Sequence, residues 1–387
     1  MTQQVTEPTI VRTARTDTRN ADLADLARIL TEQQGRKLDI VAPASALGVQ
    51  DGNLTLHGVE PVIDADGVTD PNGAYRPTDV AEEGVSAKLR IPVGYLRRMR
   101  AENLPLYDLN VAGWLEKEPE RRFLLRAFKG GSDGPGVARA FLSDSYKMID
   151  NVDLLVAALD GVRQSGHLVK VTGCDLTDRR MYVRVESESV AVQARELLRG
   201  YRSPYTGQSG DELPLVSAGF LITNSEVGDG AFTITPRAVF RVCDNGLTMT
   251  KDTMRAVHLG GKQDEGVVKW SGTTQRKMLE LITSKCTDAV ASFLSRDYVE
   301  AKLRDIERAA GRPVTDPVKT IEVVSKQLSI TDTVRDSILS HFIQGGQLTA
   351  GGVMQALTSV AQTLPDADAA HELEARALPA LSAAAAL

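Results

Sequence analysis

The sequence predicts an α+β fold: an antiparallel sheet with a packed helix (hairpin–helix–hairpin core), followed by a helical C-terminal region. Three observations carry that expectation. Strand-forming runs between residues 122 and 242 come in pairs joined by turn-rich segments. One helical period, at 151–163, interrupts them. From residue 273 onward the apolar positions recur every three or four residues.

Along the chain, residues 1–20 are polar and expected to be mobile. Residues 21–31 place Leu23, Leu26, Ile29 and Leu30 at helical spacing. Asp51-Gly52-Asn53 before Leu54-Thr55-Leu56 is a hairpin signal. The stretch 62–84, rich in Asp, Gly, Pro and Asn, reads as a linker. Pro92 blocks a continuous helix across 85–99 and starts a new one, with Tyr95, Leu96 and Met99 inward. A short helix is predicted at 110–117. Strands at 122–128 and 137–142 form a hairpin around the loop 130–136. Asp150 or Asn151 caps the helix that runs to 163. Strands follow at 168–176 and 181–185, the second alternating Met181, Val183 and Val185 against Tyr182, Arg184 and Glu186. Residues 187–214 read as irregular, and 218–223 and 231–242 as strands. Helices are predicted at 273–294 and 299–310, from Thr331 onward, and at 353–364, with an Ala-rich, loosely held tail from Pro365. The expected organisation is an acidic, partly disordered N-terminal segment (1–84), an α+β core (85–310) and a helical C-terminal region (311–387).

The chain has 387 residues, 42% hydrophobic and 25% charged, a globular composition that excludes wholesale disorder. No apolar run approaches the roughly 18 residues that cross a bilayer. The N-terminus lacks the apolar core of a secretory signal, so no membrane partner is expected. Cys174, Cys243 and Cys286 are far apart and odd in number, which predicts reduced, cytoplasmic thiols and argues against structural zinc. The net charge of −6 hides a gradient. Lys and Arg number 7 against 14 Asp and Glu over 1–85, 34 against 29 over 86–312, and 4 against 8 over 313–387. Local field decides whether a polyanion is attracted, so the mildly basic middle keeps nucleic acid open as a partner.

Gly260-Gly261-Lys262-Gln263 lacks the leading Gly and the Ser or Thr of a phosphate loop. His57, His167, His258, His341 and His371 are isolated, and no cofactor or metal is expected. Asp175, Asp178, Glu186 and Glu188 surround one strand pair, as in a metal-dependent nuclease, but no Lys completes that pattern. No catalytic residue is assigned.

Three blocks stand out. They are Val137–Tyr146 through Asp150-Asn151, then Gly219–Gly228, then Val239–Gly246 followed by His258. Together they resemble the phage/plasmid-like protein family built on domain of unknown function 932, over residues 85–310. The resemblance implies a mobile-element origin, and its hairpin–helix–hairpin order is similar to the core of phage single-strand annealing proteins. It implies a DNA-binding protein of recombination or replication, able to assemble as a homo-oligomer.

Such a protein holds the phosphate backbone in a positive groove and leaves the bases free. The candidates are Arg121, Arg122, Arg126 and Lys129 on the first strand and Arg139 on its partner. Arg179, Arg180 and Arg184 belong to the second hairpin, and Arg199, Arg202 and Tyr205, with Tyr201, to one loop. Arg237, Arg241, Lys251 and Arg255 follow the last strand. The expectation is that they converge into one trough for single-stranded DNA. The rival readings are a non-enzymatic host-interaction or anti-defence protein and a metal-dependent nuclease.

Overall fold

Alternating apolar and polar residues give the strands a dry face, and turn chemistry divides them between two main sheets. The computed structural model describes residues 17–64, 67–130, 134–146, 149–256, 266–267 and 272–387. The N-terminal part contains β1 (Thr18–Ala21), α1 (Leu23–Arg36), β2 (Lys37–Pro43), β3 (Leu47–Gln50), β4 (Asn53–Leu56), β5 (Val62–Asp64), β6 (Gly67–Thr69) and β7 (Gly73–Pro77). Three helices follow: α2 (Asp79–Leu89), α3 (Val93–Glu102) and α4 (Leu104–Lys117). The middle consists of β8 (Arg122–Phe128), β9 (Gly136–Ser143), α5 (Asn151–Gln164), β10 (Val169–Leu176), β11 (Met181–Gln193), α6 (Arg195–Leu198), β12 (Leu215–Asn224), β13 (Phe232–Phe240), β14 (Asn245–Thr248), β15 (Met254–Ala256) and β16 (Gly266–Val267). The rest is helical: α7 (Gly272–Phe293), α8 (Arg296–Ala310), α9 (Pro317–Gln327), α10 (Asp332–Gly345), α11 (Ala350–Thr363), α12 (Ala367–Ala375) and α13 (Ala377–Ala385).

The α+β class, the hairpin–helix–hairpin order and the helical C-terminal region are therefore present. The two hairpins, however, lie in different sheets. The first sheet is antiparallel, in the order β1-β10-β11-β12-β13-β14, with β15 also on β13. The second runs β16-β2-β8-β9-β7-β4-β3, and its β7–β9 pair is parallel. β5 and β6 form a separate hairpin. Met181, Val183 and Val185 of β11 enter a large core with Phe220, Ile234 and apolar residues of α1, α5, α7 and the C-terminal helices. The second sheet buries its own core against α2–α4, with Leu96, Tyr107 and Val111 inside it. Burial of such faces at about 25 cal/mol per Å² is the main drive for both.

Three expectations need correction. The boundary at 84/85 falls inside α2, and residues before it supply β1 to the first sheet and β2–β4 and β7 to the second. Residues 1–16 lie outside the described residues, but Thr18–Ala21 is not mobile chain: it pairs with β10. The tail from Pro365 is not loose either. Ala377, Ala380, Leu381 and Ala384 of α13 are buried in the large core, against α11, α8 and α9. Parts of the loop 130–136, together with Gly260-Gly261-Lys262-Gln263 and His258, fall outside the described residues.

Candidate functional site

The second face of β11, carrying Tyr182, Arg184 and Glu186, does not meet the apolar core. It faces a polar cleft of about 360 Å³ between the first sheet, the N-terminal strand and helices α11 and α12. Strand alternation brings Arg237 and Val239 of β13 to the same side, and Arg241 follows just past the strand end. β10 contributes Lys170 and Thr172, and β1 contributes Arg19 and Asn20. On α12, His371 and Glu374 share the inward face with Ala367 and Ala370. Asp366 caps this helix by accepting from the Ala369 amide at 2.7 Å, which fixes where that face points.

Each guanidinium is held by oxygen acceptors. Arg237 makes a two-pronged contact with Glu374, Nε to Oε1 at 2.8 Å and Nη2 to Oε2 at 3.0 Å. Thr248 also donates to Glu374. Asp175, fully buried at the end of β10, gathers four donors. Arg19 Nη1 lies at 2.7 Å, the Asn20 amide at 2.7 Å, His371 Nε2 at 2.8 Å and Arg184 Nη1 at 3.3 Å. Arg184 also donates to Asn20 Oδ1 at 2.7 Å. Arg241 pairs with Glu186 at 2.6 Å and donates to Ser217 Oγ at 2.8 Å. Two glycines make room underneath. A Cβ on Gly173 would stand 2.4 Å from Arg184 Nη2, and one on Gly246 would stand 1.8 Å from Arg237 Nη2.

Burial alone would raise the Asp175 carboxyl, but the His371 hydrogen bond, Arg184 and the Asn20 amide outweigh it and hold it well below the usual carboxylate range. Burial likewise opposes ionisation of Glu374, and Arg237 overcomes it, leaving that carboxyl at about 2. Both are therefore ionised at neutral pH. The cleft lining carries five cations, Arg19, Lys170, Arg184, Arg237 and Arg241, against Glu186, Asp244 and Glu374, with Asp175 as a fourth carboxylate behind the wall.

Of the predicted residues, then, Arg184, Arg237 and Arg241 converge. The rest do not join them in one trough. Arg126 is fully buried, not on a wet sheet face. It pairs with Asp150, with Asp39 at 3.5 Å and with Glu226 at 3.7 Å. Arg139 is also buried and meets Glu226 at 2.7 Å. The Asn151 amide donates to Glu226 at 2.6 Å, and Asn224 Nδ2 donates to Asn151 Oδ1 at 2.8 Å. This dry cluster ties the two sheets and the start of α5 together. Among its members are residues of the first two sequence blocks, which accounts for their polar character without a ligand.

Elsewhere, Arg121 pairs with Glu118 at 3.0 Å, Arg122 with Asp144 at 3.5 Å, Arg179 with Glu83 at 2.7 Å and Arg180 with Asp229 at 3.2 Å. Arg199 pairs with Glu196. Lys129 donates to Thr69 Oγ1 at 3.1 Å, and Arg202 to the Gly207 carbonyl at 2.8 Å. Lys251 and Arg255 are exposed, away from the cleft lining. Tyr201 is buried, so it is not a stacking platform; Tyr205 is half exposed, and its hydroxyl donates to the Ser359 carbonyl at 2.5 Å.

Glu186 lines the cleft and Asp175 lies behind its wall, but guanidinium groups occupy both carboxylates. Among the described residues no group of three His, Cys, Asp or Glu is placed to hold a metal ion. The three cysteines are buried, and burial pushes their thiols up, to about 11 or 12. No described helix is long and apolar enough to cross a membrane. No family model, curated protein or solved structure matches the chain.

Sequence reasoning missed Arg19, Lys170, His371 and Glu374. The signal for the last two was the pair His371 and Glu374, three apart, on a buried helix side shared with Ala367, Ala370 and Leu373.

Proposed function

We propose that the protein binds single-stranded nucleic acid by seating one or a few backbone phosphates in this cleft. The observation that supports the reading is the convergence of five cationic side chains from three distant parts of the chain on one 360 Å³ space. Paired carboxylates orient the guanidinium groups and lower the net charge, so the site favours a local phosphate contact over a long electrostatic track. The wider role, single-strand handling in recombination or replication of a phage or plasmid, rests on the sequence resemblance. Self-association would add clefts in parallel and raise avidity. Fluorescence anisotropy with a single-stranded DNA of about 60 nucleotides at two salt concentrations tests the reading. Binding that weakens with salt supports it, and no binding at low salt removes it.

One observation favours a second reading, a non-enzymatic partner of a host protein. Helix α4 exposes Leu106, Leu109 and Trp114 along a shallow groove. Capture of a host protein that survives nuclease treatment and is lost on Leu109→Asp would support that role.

A further inference from the structure

We propose that the cleft cleaves RNA, with His371 accepting the proton of a ribose 2′-hydroxyl beside a seated phosphate. The inference rests on the phosphate-seating reading above and adds chemistry and a substrate class to it.

His371 Nε2 lies 2.8 Å from Asp175 Oδ2, at the wall of the cleft. Asp175, ionised among its cations, can only accept hydrogen bonds. Nε2 of a neutral His371 therefore carries the proton, and the lone pair is on Nδ1. Nδ1 has no hydrogen-bond partner among the described residues. The ring cannot swing freely, because it stacks on Tyr182 with centroids 3.9 Å apart and planes 12° from parallel. Tyr182 is itself fixed by donating to Asp368 Oδ1 at 2.8 Å. A free, oriented imidazole nitrogen beside cationic groups has the composition of a general base next to an oxyanion site.

The nucleophile has to arrive with the substrate. Among the described residues no Ser or Cys lines the cleft, and the hydroxyl of Thr172, the threonine among them that does, is donated to the Arg184 carbonyl at 3.4 Å. A ribose 2′-hydroxyl supplies the missing group within the bound strand. The 2′ O–H bond breaks and its proton goes to Nδ1. The 2′ oxygen bonds to phosphorus as the bond from phosphorus to the 5′ oxygen breaks. Solvent protonates that leaving oxygen and takes the proton back from the imidazolium. The products are a 2′,3′-cyclic phosphate and a 5′-hydroxyl, and the step balances without a further reactant. Lys170 and Arg241, at the open side of the cleft, are placed to meet charge on the non-bridging oxygens.

The full chain should be incubated at low salt, with a chelator, with three oligonucleotides of one sequence: RNA, DNA and 2′-O-methyl RNA. Binding is read by anisotropy and cleavage on a gel. The expected result is that all three bind and only RNA is cut, leaving cyclic phosphate ends. Compared at saturating strand, His371→Gln should cut at least about 100-fold more slowly than the parent. RNA that is bound but stays intact overturns the inference and leaves the binding reading standing. Cleavage of the DNA or 2′-O-methyl strand, or an undiminished rate in His371→Gln, also overturns it. Absence of binding to all three sinks the phosphate-seating reading, and the inference with it.

Discussion

The guanidinium of Arg237 lies over Gly246, in space that any side chain there would need: a Cβ on Gly246 would stand 1.8 Å from Nη2. The two residues sit on neighbouring strands, with Gly246 opposite Val239. Gly246→Ala must therefore displace Arg237 from its two-pronged contact with Glu374. A buried carboxylate left without its partner costs roughly 3–5 kcal/mol. The expected outcome is a loss of about that size in urea unfolding, with the cleft cations disordered. Gly113→Ala on α4 is the control, because nothing lies within 4 Å of its Cβ. In a helix that change should be neutral or stabilising by about 0.5–1 kcal/mol. Equal losses in both variants would show that the slot under Arg237 has no special role.

Removal of residues 365–387 should be far from silent. The deletion takes away α13, whose Ala377, Ala380, Leu381 and Ala384 are buried, and with α12 it removes Glu374, the partner of Arg237, and His371, one of the four donors to Asp175. Thermal unfolding should move down by many degrees, and α11 should become a site of early proteolysis. An unchanged melting curve would mean that the helical packing of the tail contributes nothing.

That tail shows where reading the sequence ran out. Alanine carries little apolar area, so an Ala-rich stretch has weak periodicity even when a neighbouring helix covers it. The alternation of β11 was legible, and it placed Arg184 and Glu186 on one face as found. Their long-range partners were not, since His371 and Asp175 are separated by 196 positions and no spacing rule links them. Arg126 failed for another reason. A period of two tells which residues share a face but not whether that face is covered, and both faces of β8 are. The unbroken apolar run around Arg126 was the available hint of a strand buried on two sides.

Acid should unfold the protein. Glu83, Asp150, Asp160, Asp175, Glu226, Asp252 and Glu374 lie below their ordinary carboxylate range. Asp39, Glu82 and Asp153 lie above it, chiefly through burial. A lowered group contributes stability that is complete above its unfolded value and lost as pH falls through the folded one. The raised three have the opposite sign, and they are outnumbered. Stability should therefore decline below about pH 4.3, the ordinary glutamate value. For Glu374 the loss extends down to about pH 2. Glu374→Gln removes that contribution, so its urea midpoint should start lower at pH 7 and fall less steeply in acid. Parallel curves for the variant and the parent would remove Glu374 from the account.

The last prediction concerns charge at the mouth of the cleft. Lys170 is exposed there, and Arg241 is 31% exposed while held by Glu186. The other cations of the site are more enclosed, Arg19 at 24%, Arg184 at 14% and Arg237 at 9%. A seated phosphate should therefore draw first on Lys170 and Arg241. For single strands, log affinity falls with log salt by about 0.7 per neutralised phosphate. A cleft that seats one to three phosphates predicts a slope between about −0.7 and −2. Lys170→Ala should weaken binding and make the slope shallower by about 0.7, and Arg241→Ala should do the same. Arg163→Ala, on the exposed side of α5, should leave both unchanged, because that side chain pairs with Asp160 outside the cleft. Anisotropy titrations at four salt concentrations separate these cases. A steep slope that none of the three variants alters would place the nucleic acid on another surface of the protein.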